Sequence, residues 1–191
     1  MVKRVKPGAY PSKPSFELIA LKPGDTVVGA CEVTNEAADI VFVSTDAQLL
    51  RTPLKGVSAQ GLGAGGMAGM RTTAGAKVIS MHLVDPRDAD ALVVTVAGST
   101  GALPGTDPGS AKVTPLSVYP SKGRGTGGVR VQRFLKSEDT LLLAWSGVGP
   151  AIAAGAKGEP VDLPGIDTRR DGSGLALPVP VASVGSLPTS E

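Results

Sequence analysis

Short apolar runs separated by turn-forming residues set the pattern of this chain. The runs occupy residues 26–28, 40–43, 77–81, 92–96 and 141–145, and the first four contain β-branched side chains. Gly, Pro, Asp or Asn bounds each run. Such strand-sized runs between turn signals are typical of β-strands. The pattern therefore predicts an all-β chain with many short strands, as in a sandwich, a barrel or a propeller.

Composition agrees with this prediction and narrows it. The 191 residues include 26 glycines and 16 prolines, and 41% of the residues are apolar. Gly and Pro weaken helix interiors but suit turns between strands, so a helical bundle is disfavoured. The apolar content is sufficient for one packed domain.

Internal repeats favour the propeller over the other all-β folds. Three pairs of segments match: residues 60–67 with 122–129, residues 52–54 with 114–116, and residues 10–13 with 119–122. The first two pairs share a shift of 62 residues, and a Gly/Pro-rich loop from Gly98 to Gly109 accounts for its excess over an underlying period of about fifty. A period of this length suits a four-stranded propeller blade.

The repeats also suggest how the domain is bounded. The chain opens in the middle of a repeat and closes with an incomplete copy from Pro150 to about Leu177. We therefore expect a partial array of three to four propeller-like blades in one domain over residues 1–176. Residues 177–191 are expected to form a poorly ordered tail.

Two glycine-rich boxes, box 1 (residues 60–67) and box 2 (residues 122–129), each contain the pattern G-x-G-x-x-G. A dinucleotide site would need a helix after this pattern, whereas Val129, Arg130 and Val131 alternate as in a strand. No Lys-Ser/Thr pair completes a P-loop. The boxes are loops between blades or, in a sharper hypothesis, cradles in which backbone N–H groups bind phosphate. Their glycines are Gly61, Gly63, Gly65, Gly66, Gly123, Gly125, Gly127 and Gly128.

Other candidate chemistry is sparse. The lone Cys31 and the lone His82 are interpreted as structural residues. Asp85, Asp88 and Asp90 flank a proline and are expected to form a solvated turn rather than a metal site. Tyr10 and Tyr119 are expected to pack at corresponding positions of two blades. We expect no metal and no cofactor in this chain, and no catalytic residue.

Charge is uneven although its total is small. The formal net charge is only +2, but residues 1–24 carry five basic side chains against one acidic, and residues 111–136 carry six basic side chains and no acidic one. Residues 137–191 carry three basic side chains against seven acidic. Two basic segments, residues 1–24 and 111–136, thus lie within the repeats.

These motifs resemble the C-terminal domain of bacterial type IIA topoisomerase A subunits, the gyrase and topoisomerase IV family. Phe42-Val43-Ser44, residues 50–54, a glycine-rich box and Val78-Ile79 carry the resemblance. Residues 119–130, followed by Arg133-Phe134-Leu135, look most like actinobacterial members. The resemblance covers roughly residues 1–175 and implies a β-pinwheel, a propeller-like ring whose basic outer surface bends DNA.

The chain also lacks two features of the family, and this limits the activities that the resemblance implies. Gyrases carry a box that reads Gln-Arg-Arg-Gly-Gly-Lys-Gly, which this chain lacks, and Leu62 stands where box 2 has Arg124. The better match is therefore a topoisomerase IV-like or diverged A subunit. The family's catalytic tyrosine lies in a separate domain, and neither Tyr10 nor Tyr119 has its Arg and Thr context.

The resemblance implies a non-catalytic DNA-binding and DNA-bending domain. It would contact duplex phosphates through basic residues, namely Lys3, Arg4, Lys13, Arg51, Lys55, Lys112, Lys122, Arg124 and Arg130. Expected partners are double-stranded DNA, an ATPase B subunit and the remainder of the A subunit, in the cytoplasm at the nucleoid and without a membrane. The alternative is a propeller-like scaffold that binds an acidic protein, and a self-sufficient enzyme is the weakest hypothesis.

Overall fold

The computed structural model describes residues 1–6, 8, 10–103 and 105–187, and in this part of the chain the regular elements are short strands and two 3-10 helices. The strands are β1 (Arg4–Val5), β2 (Asp39–Ser44), β3 (Gln48–Pro53), β4 (Ala59–Gln60), β5 (Val78–Val84), β6 (Ala91–Gly98), β7 (Ser110–Pro115), β8 (Val129–Arg130), β9 (Thr140–Val148), β10 (Ala151–Ala154), β11 (Pro160–Val161), β12 (Leu175–Ala176) and β13 (Ser183–Ser186). The 3-10 helices span Leu54–Gly56 and Leu116–Val118.

The strands form three successive blades of the same design. Blade 1 has the strand order β5-β2-β3-β8, and blade 2 has the order β9-β6-β7-β12. Blade 3 contains β13, β10 and β11 in the corresponding order. Neighbouring strands within each blade are antiparallel. The predicted all-β, propeller-like array of repeats is confirmed, and none of its sheets closes on itself.

The central strand of each complete blade is buried throughout. Every residue of β2 and of β6 is buried, which explains why their sequences are nearly continuous apolar runs rather than alternating ones. Val41, Val43, Val93 and Ala97 lie in one shared cluster that joins blades 1 and 2. Packing between blades therefore uses the same strands that build each blade.

The shift of 62 residues seen in the sequence is a structural equivalence. β3 and β7 both end in proline and pass directly into a 3-10 helix with a buried leucine, Leu54 or Leu116. β5 and β9 begin 62 residues apart and occupy the same position in their blades. Gly98 to Gly109 forms the long connection between β6 and β7, as the inserted loop predicted.

The fourth strand of a blade comes from the following repeat. β8 follows box 2 yet pairs with β3 of blade 1, where Leu49 lies opposite Val129. β12 pairs with β7 of blade 2 in the matching register, with Ala111 opposite Leu175. This register identifies residues 168–175 as box 3, because Leu175 takes the place of Val129.

The last glycine of each box makes this pairing possible. Gly66 and Gly128 have φ of +82° and +75°, a conformation that favours glycine. A Cβ on Gly128 would overlap the Leu49 carbonyl oxygen, and a Cβ on Gly66 would lie 2.6 Å from the Val2 oxygen. Gly174 of box 3 is also confined, because its Cβ would lie 2.6 Å from the Ser110 Oγ and 2.9 Å from the Ala111 oxygen.

The first residues of the chain repeat this junction. Val2 and Met67 exchange backbone hydrogen bonds of 2.8 Å, and their pairing matches that of Leu49 with Val129. β1 also pairs with β4 in parallel, as Arg51 does with Ser121 in the next repeat. The start of the chain is thus a further copy of the repeat, and its residues 2–5 pair with box 1 and with β4.

Three expectations differ from the structure. Residues 26–28, predicted as a strand, do not form one, because no described residue pairs with their backbone; Val27 and Val28 are 59% and 47% exposed. Tyr119 is buried as expected, but Tyr10 is 54% exposed and stacks on Phe16 at 5.6 Å.

The third difference concerns the segment expected to be a poorly ordered tail. Leu177 is buried, and Ser183–Ser186 pairs with β10 over four residues, so blade 3 extends beyond residue 176. The apolar side chains of Val181 and Val184 pack against this sheet. Residues 188–191 of the predicted tail lie outside the described residues.

The close approach of Gly128 predicts a large difference between two glycines of one box. Gly128→Ala should lower the free energy of unfolding by at least about 1–2 kcal/mol, because alanine resists positive φ and its Cβ meets the Leu49 carbonyl. Gly123→Ala is the matched control, because nothing lies within 4 Å of its Cβ position; it should change stability by less than about 0.5 kcal/mol. Urea denaturation of both variants checks this, and equal losses would contradict the assigned role.

Candidate nucleic-acid interface

Box 2 lies across the junction between blades 1 and 2 and holds its arginine in a fixed position. The Arg124 Nε donates to the Gly56 carbonyl at 2.8 Å, and its Nη1 donates to the Ala68 carbonyl at 3.0 Å. The Arg71 backbone N–H donates to the Thr126 carbonyl at 3.0 Å. These contacts bring Arg124 beside Lys55, the neighbour of Gly56, and beside the segment that leads to Arg71. All three basic side chains are exposed.

Box 3 repeats this arrangement at the junction between blades 2 and 3. The Arg133 backbone N–H donates to the Gly172 carbonyl at 3.0 Å, which matches the bond from Arg71 to Thr126. Four residues before its last glycine, box 3 carries Arg170 at the position of Arg124. Arg133 and Arg170 are both exposed.

Sequence reasoning missed Arg71, Arg133 and box 3. The shift of 62 residues maps Arg71 onto Arg133, so applying it beyond the boxes would have found both. Box 3 retains only the last of the four box glycines, Gly174, and has charged or polar residues in place of the other three, which removed the pattern that marks a box. Only the strand register shows its equivalence.

The predicted DNA-contacting residues fall into three groups by their surroundings. Lys13, Lys55, Lys122, Arg124 and Arg130 are exposed. Lys3 and Arg4 are half-buried; the Lys3 ammonium donates to the Leu62 carbonyl, and Arg4 pairs with Glu36. Lys122 also donates to the Gly128 carbonyl at 3.1 Å, within its own box.

Arg51 and Lys112 form the third group, because both lie inside the fold. The Arg51 Nε donates to Asp39 at 2.6 Å, and its Nη1 donates to the Tyr119 carbonyl at 3.2 Å, so the side chain joins blade 1 to the start of box 2. Lys112 is 2% exposed and donates to the Val131 and Arg170 carbonyls. Burial lowers the pKa of Lys112 to about 8. These positions suit clamps between blades better than contacts with a duplex.

The box glycines do not all share one role. Gly66 and Gly128 are confined against the preceding blade, as described above. Gly61, Gly63 and Gly123 have open space at their Cβ positions. Gly65, Gly125 and Gly127 have their nearest neighbours at 3.6 to 3.7 Å, which is ordinary contact. Two box glycines thus allow the loop to pass close to the preceding blade. The phosphate cradle stays a prediction.

The acidic residues that resemble a metal cluster form hydrogen-bonded turns. The Asp85 Oδ2 accepts from the Arg87 Nη2 at 2.7 Å, and the Arg87 side chain holds the pKa of Asp85 well below its usual range. Asp167 and Arg169 make the same kind of turn at the start of box 3. Among the described residues, no group of three or more His, Cys, Asp or Glu side chains is arranged to hold a metal ion.

One groove lies away from the boxes. It has a volume of about 640 Å³ between β5 and residues 28–35, and both Cys31 and His82 line it. Burial raises the pKa of the Cys31 thiol and lowers that of His82. The His82 Nδ1 and the Ser80 Oγ have no hydrogen-bond partner among the described residues. His82 therefore contributes no positive charge to the candidate interface at neutral pH.

Comparisons with known proteins agree with this architecture. A family model described as the DNA gyrase C-terminal domain, beta-propeller, matches residues 38–85 and 105–142. The A subunit of DNA gyrase from Pseudomonas aeruginosa is 34% identical over 60% of this chain and 11% of its own length. The topoisomerase subunit TopoM of Mycolicibacterium smegmatis is 32% identical over 66% of this chain and 16% of its own length. The chain thus spans less than a fifth of the curated relatives that it matches.

Solved structures share the fold at low sequence identity. A DNA gyrase A C-terminal domain superposes with a TM-score of 0.66 at 15% identity, covering 87% of this chain and 56% of that structure. The C-terminal domain of E. coli ParC gives 0.61 at 16% identity, covering 88% of this chain and 67% of that structure. The C-terminal domain of a DNA topoisomerase IV gives 0.61 at 19% identity, covering 78% and 46%.

The blades with exchanged fourth strands define a propeller-like β-pinwheel. With the family model and the relatives, this architecture shows that the chain belongs to the family of C-terminal domains of type IIA topoisomerase A subunits. In the part of the chain that the structure describes, no helix is long and apolar enough to cross a membrane.

The ion pair of Arg51 generates a prediction about stability. Arg51→Met should lower the free energy of unfolding by about 3 kcal/mol, because it leaves Asp39, 7% exposed, without its cation. Arg87→Met is the matched control, since the Asp85–Arg87 pair lies at the surface and its loss should leave the unfolding midpoint nearly unchanged. Thermal unfolding followed by circular dichroism measures both, and an unchanged midpoint for Arg51→Met would contradict the clamp.

Proposed function

We propose that this domain binds and bends duplex DNA along the blade junctions, through phosphate contacts and without base specificity. The observation that carries the proposal is the repeated placement of exposed cations at equivalent positions: Arg71 with Arg133, and Arg124 with Arg170. Sequence-independent DNA binding depends on such phosphate contacts, and a duplex offers phosphates at regular intervals. A repeated basic surface on consecutive blades matches that regularity.

The charge of these side chains is not neutralised locally. Among the described residues, Lys55, Arg71, Arg124, Arg133 and Arg170 make no salt bridge with a carboxylate. Arg124 instead uses two of its N–H groups on backbone carbonyls, which are neutral, and keeps its positive charge available. A guanidinium carries five N–H donors in a planar fork. Its remaining donors can reach a phosphate from a position that the fold has already fixed.

Holding Arg124 in place reduces the entropy cost of binding. A free arginine on a mobile loop would lose rotamer freedom when it contacts a phosphate, at roughly 0.5–1.5 kcal/mol for each immobilised side chain. The carbonyls of Gly56 and Ala68 already restrict this side chain in the free protein. The blade junction therefore both creates and orients the proposed contact.

The role of the whole protein is part of the same proposal. We propose that the parent chain is the A subunit of an ATP-dependent type II topoisomerase, which works at the nucleoid with a B subunit that supplies ATP hydrolysis. This domain would hold DNA and would use neither a catalytic residue nor a cofactor of its own. The absence of the Gln-Arg-Arg-Gly-Gly-Lys-Gly sequence and the Leu62 of box 1 favour a topoisomerase IV-like or diverged subunit.

A second candidate function is a scaffold that binds an acidic protein. The same exposed cations support it, so geometry alone favours neither partner. Salt dependence separates the two, because DNA releases condensed counterions on binding and gives a steep linear slope of log affinity against log salt.

Box 1 and box 2 offer an internal test of the DNA role. We expect weak, sequence-tolerant duplex binding with a dissociation constant of ~10⁻⁴ to 10⁻⁶ M at physiological salt. Arg124→Ala should make the salt slope shallower by about one unit, and Leu62→Arg should steepen it by a similar amount, since the two residues occupy equivalent positions. Fluorescence anisotropy with a labelled duplex at several salt concentrations measures both slopes.

Gly123→Ala serves as the control for this experiment, because it changes box 2 without changing its charge. Thermal midpoints of all variants come first, so that slopes are compared only between folded proteins. A flat slope for the unmodified chain would favour the protein-binding scaffold. Unchanged slopes in both charge variants would mean that the boxes are only connections between blades.

A further inference from the structure

Lys112 is a buried cation without a carboxylate partner. Its side chain is 2% exposed, and its ammonium donates to the Val131 carbonyl at 3.0 Å and to the Arg170 carbonyl at 2.6 Å. No described carboxylate lies within ion-pair distance of it. Buried charges in proteins are normally paired or bound to an ion, because desolvation is costly. The ammonium also has a third N–H group, for which the described residues show no acceptor.

A pocket opens beside Lys112 at the edge of blade 2. β7 pairs with Ile166 at Val113 and with Leu175 at Ala111, so the intervening loop of box 3 leaves the edge of the strand. The space between strand and loop has a volume of about 310 Å³, and Lys112, Arg169 and Ser173 line it. Asp167 lines the pocket as well, and its carboxylate already accepts two hydrogen bonds from the Arg169 side chain. The lining thus contains three side chains that donate hydrogen bonds, those of Lys112, Arg169 and Ser173, beside one carboxylate.

The groups around Lys112 carry a net positive charge. Its charged neighbours are Asp167, Arg169, Arg170 and Asp171, which makes three cations with Lys112 against two carboxylates. Asp167 is engaged by Arg169 at 3.0 Å. Because the Asp167–Arg169 pair is neutral, the net charge of +1 comes from Lys112, Arg170 and Asp171.

The equivalent place in blade 1 has none of this chemistry. The shift of 62 residues puts Leu50 at the position of Lys112, and Leu50 is fully buried in an apolar cluster. Box 2 has Gly123 and Gly127 where box 3 has Arg169 and Ser173. Blade 2 has thus gained a buried charge and two polar side chains at a site where a neighbouring blade of the same design packs with leucine. The blade design therefore accepts a leucine at this position.

We propose that the pocket of Lys112, Arg169 and Ser173 binds a phosphate group. A phosphate would supply the missing anion for Lys112 and accept from all three side chains, as charge-assisted phosphate contacts do. The phosphate belongs either to a DNA backbone or to a free phosphate compound. The DNA source rests on the proposed function, whereas the free source does not.

Amide chemical shifts of the ¹⁵N-labelled chain test the pocket, with inorganic phosphate as the probe and chloride added to hold ionic strength constant. We expect saturable shifts at Lys112 and at residues 167–173. Lys112→Leu, which installs the residue of blade 1, should abolish them. Arg169→Ala should weaken phosphate binding at least several-fold, and it keeps the result interpretable if the first variant unfolds. Arg87→Ala, which removes a turn of the same kind after β5, should have no effect.

Binding should also weaken in alkali. Lys112 binds phosphate best when protonated, and its pKa of about 8 means that free protein loses this proton between pH 7.5 and pH 9. Inorganic phosphate remains largely a dianion over this range. The dissociation constant should therefore rise roughly five- to tenfold between these pH values, and Arg169→Ala should keep the same trend.

A short duplex added to the same sample identifies the source. If its phosphates enter the pocket, the resonances of residues 167–173 shift with it and Lys112→Leu makes its salt slope shallower by about one unit. If duplex leaves these resonances unchanged while inorganic phosphate shifts them to saturation, the site binds free phosphate. This outcome does not depend on whether the domain binds DNA elsewhere. Shifts that grow linearly with phosphate, spread over all exposed cations or persist in Lys112→Leu would mean an adventitious ion only and would overturn the proposal.

Discussion

The fold depends on one close approach, that of the last box glycine to the third strand of the preceding blade. Gly66, Gly128 and Gly174 lie against Val2, Leu49 and Ala111, where a side chain would meet backbone atoms. At Gly128 and Gly174 the approach lets the chain continue as the fourth strand of a blade that it left earlier, and at Gly66 it lets Met67 pair with Val2. Strand exchange of this kind covers the edge of β3 and of β7, which would otherwise expose unpaired backbone groups. Stability and blade order thus follow from three glycines.

The same constraint determines where charge is placed. A box that must reach back to the preceding blade crosses the junction, so its side chains project where two blades meet. Buried cations at these junctions, Arg51 and Lys112, bind carbonyls or carboxylates of the next repeat or of their own blade. Exposed cations, Arg124 and Arg170 among them, lie on the outside of the same loops. Box sequence can therefore change at its exposed positions without loss of the fold, as Gly123 of box 2 and the equivalent Arg169 of box 3 demonstrate.

Much of the fold could be predicted from sequence, because equivalent segments of different repeats can be compared with one another. The shift between residues 52–54 and 114–116 correctly located two strand ends with their 3-10 helices. A local pattern could not show that residues 26–28 lack a sheet partner, since strand formation depends on a neighbour. Nor could it show that Ser183–Ser186 pairs with β10, because Gly, Ser and Pro in that region match the composition of a tail.

The site was less predictable, because charge in a sequence does not reveal burial. Lys112 and Lys122 both stand in a basic segment, yet one is 2% exposed and the other is exposed on a loop. Box 3 was invisible as a glycine pattern, since Arg169, Arg170 and Asp171 occupy it, and only the pairing of Leu175 with Ala111 assigns it. The alternation of β7 carries no signal that distinguishes a buried lysine from an outward one.

The central claim is that the blade junctions form the surface that a duplex contacts. Amide chemical-shift mapping with a short duplex of arbitrary sequence tests this claim most directly, because it reports every residue at once. The account predicts that the largest shifts fall at Lys55, Arg71 and residues 122–124 at one junction, and at Arg133 and residues 169–170 at the next. Shifts confined to the groove between β5 and residues 28–35, or spread evenly over both junctions and the acidic turns, would contradict it.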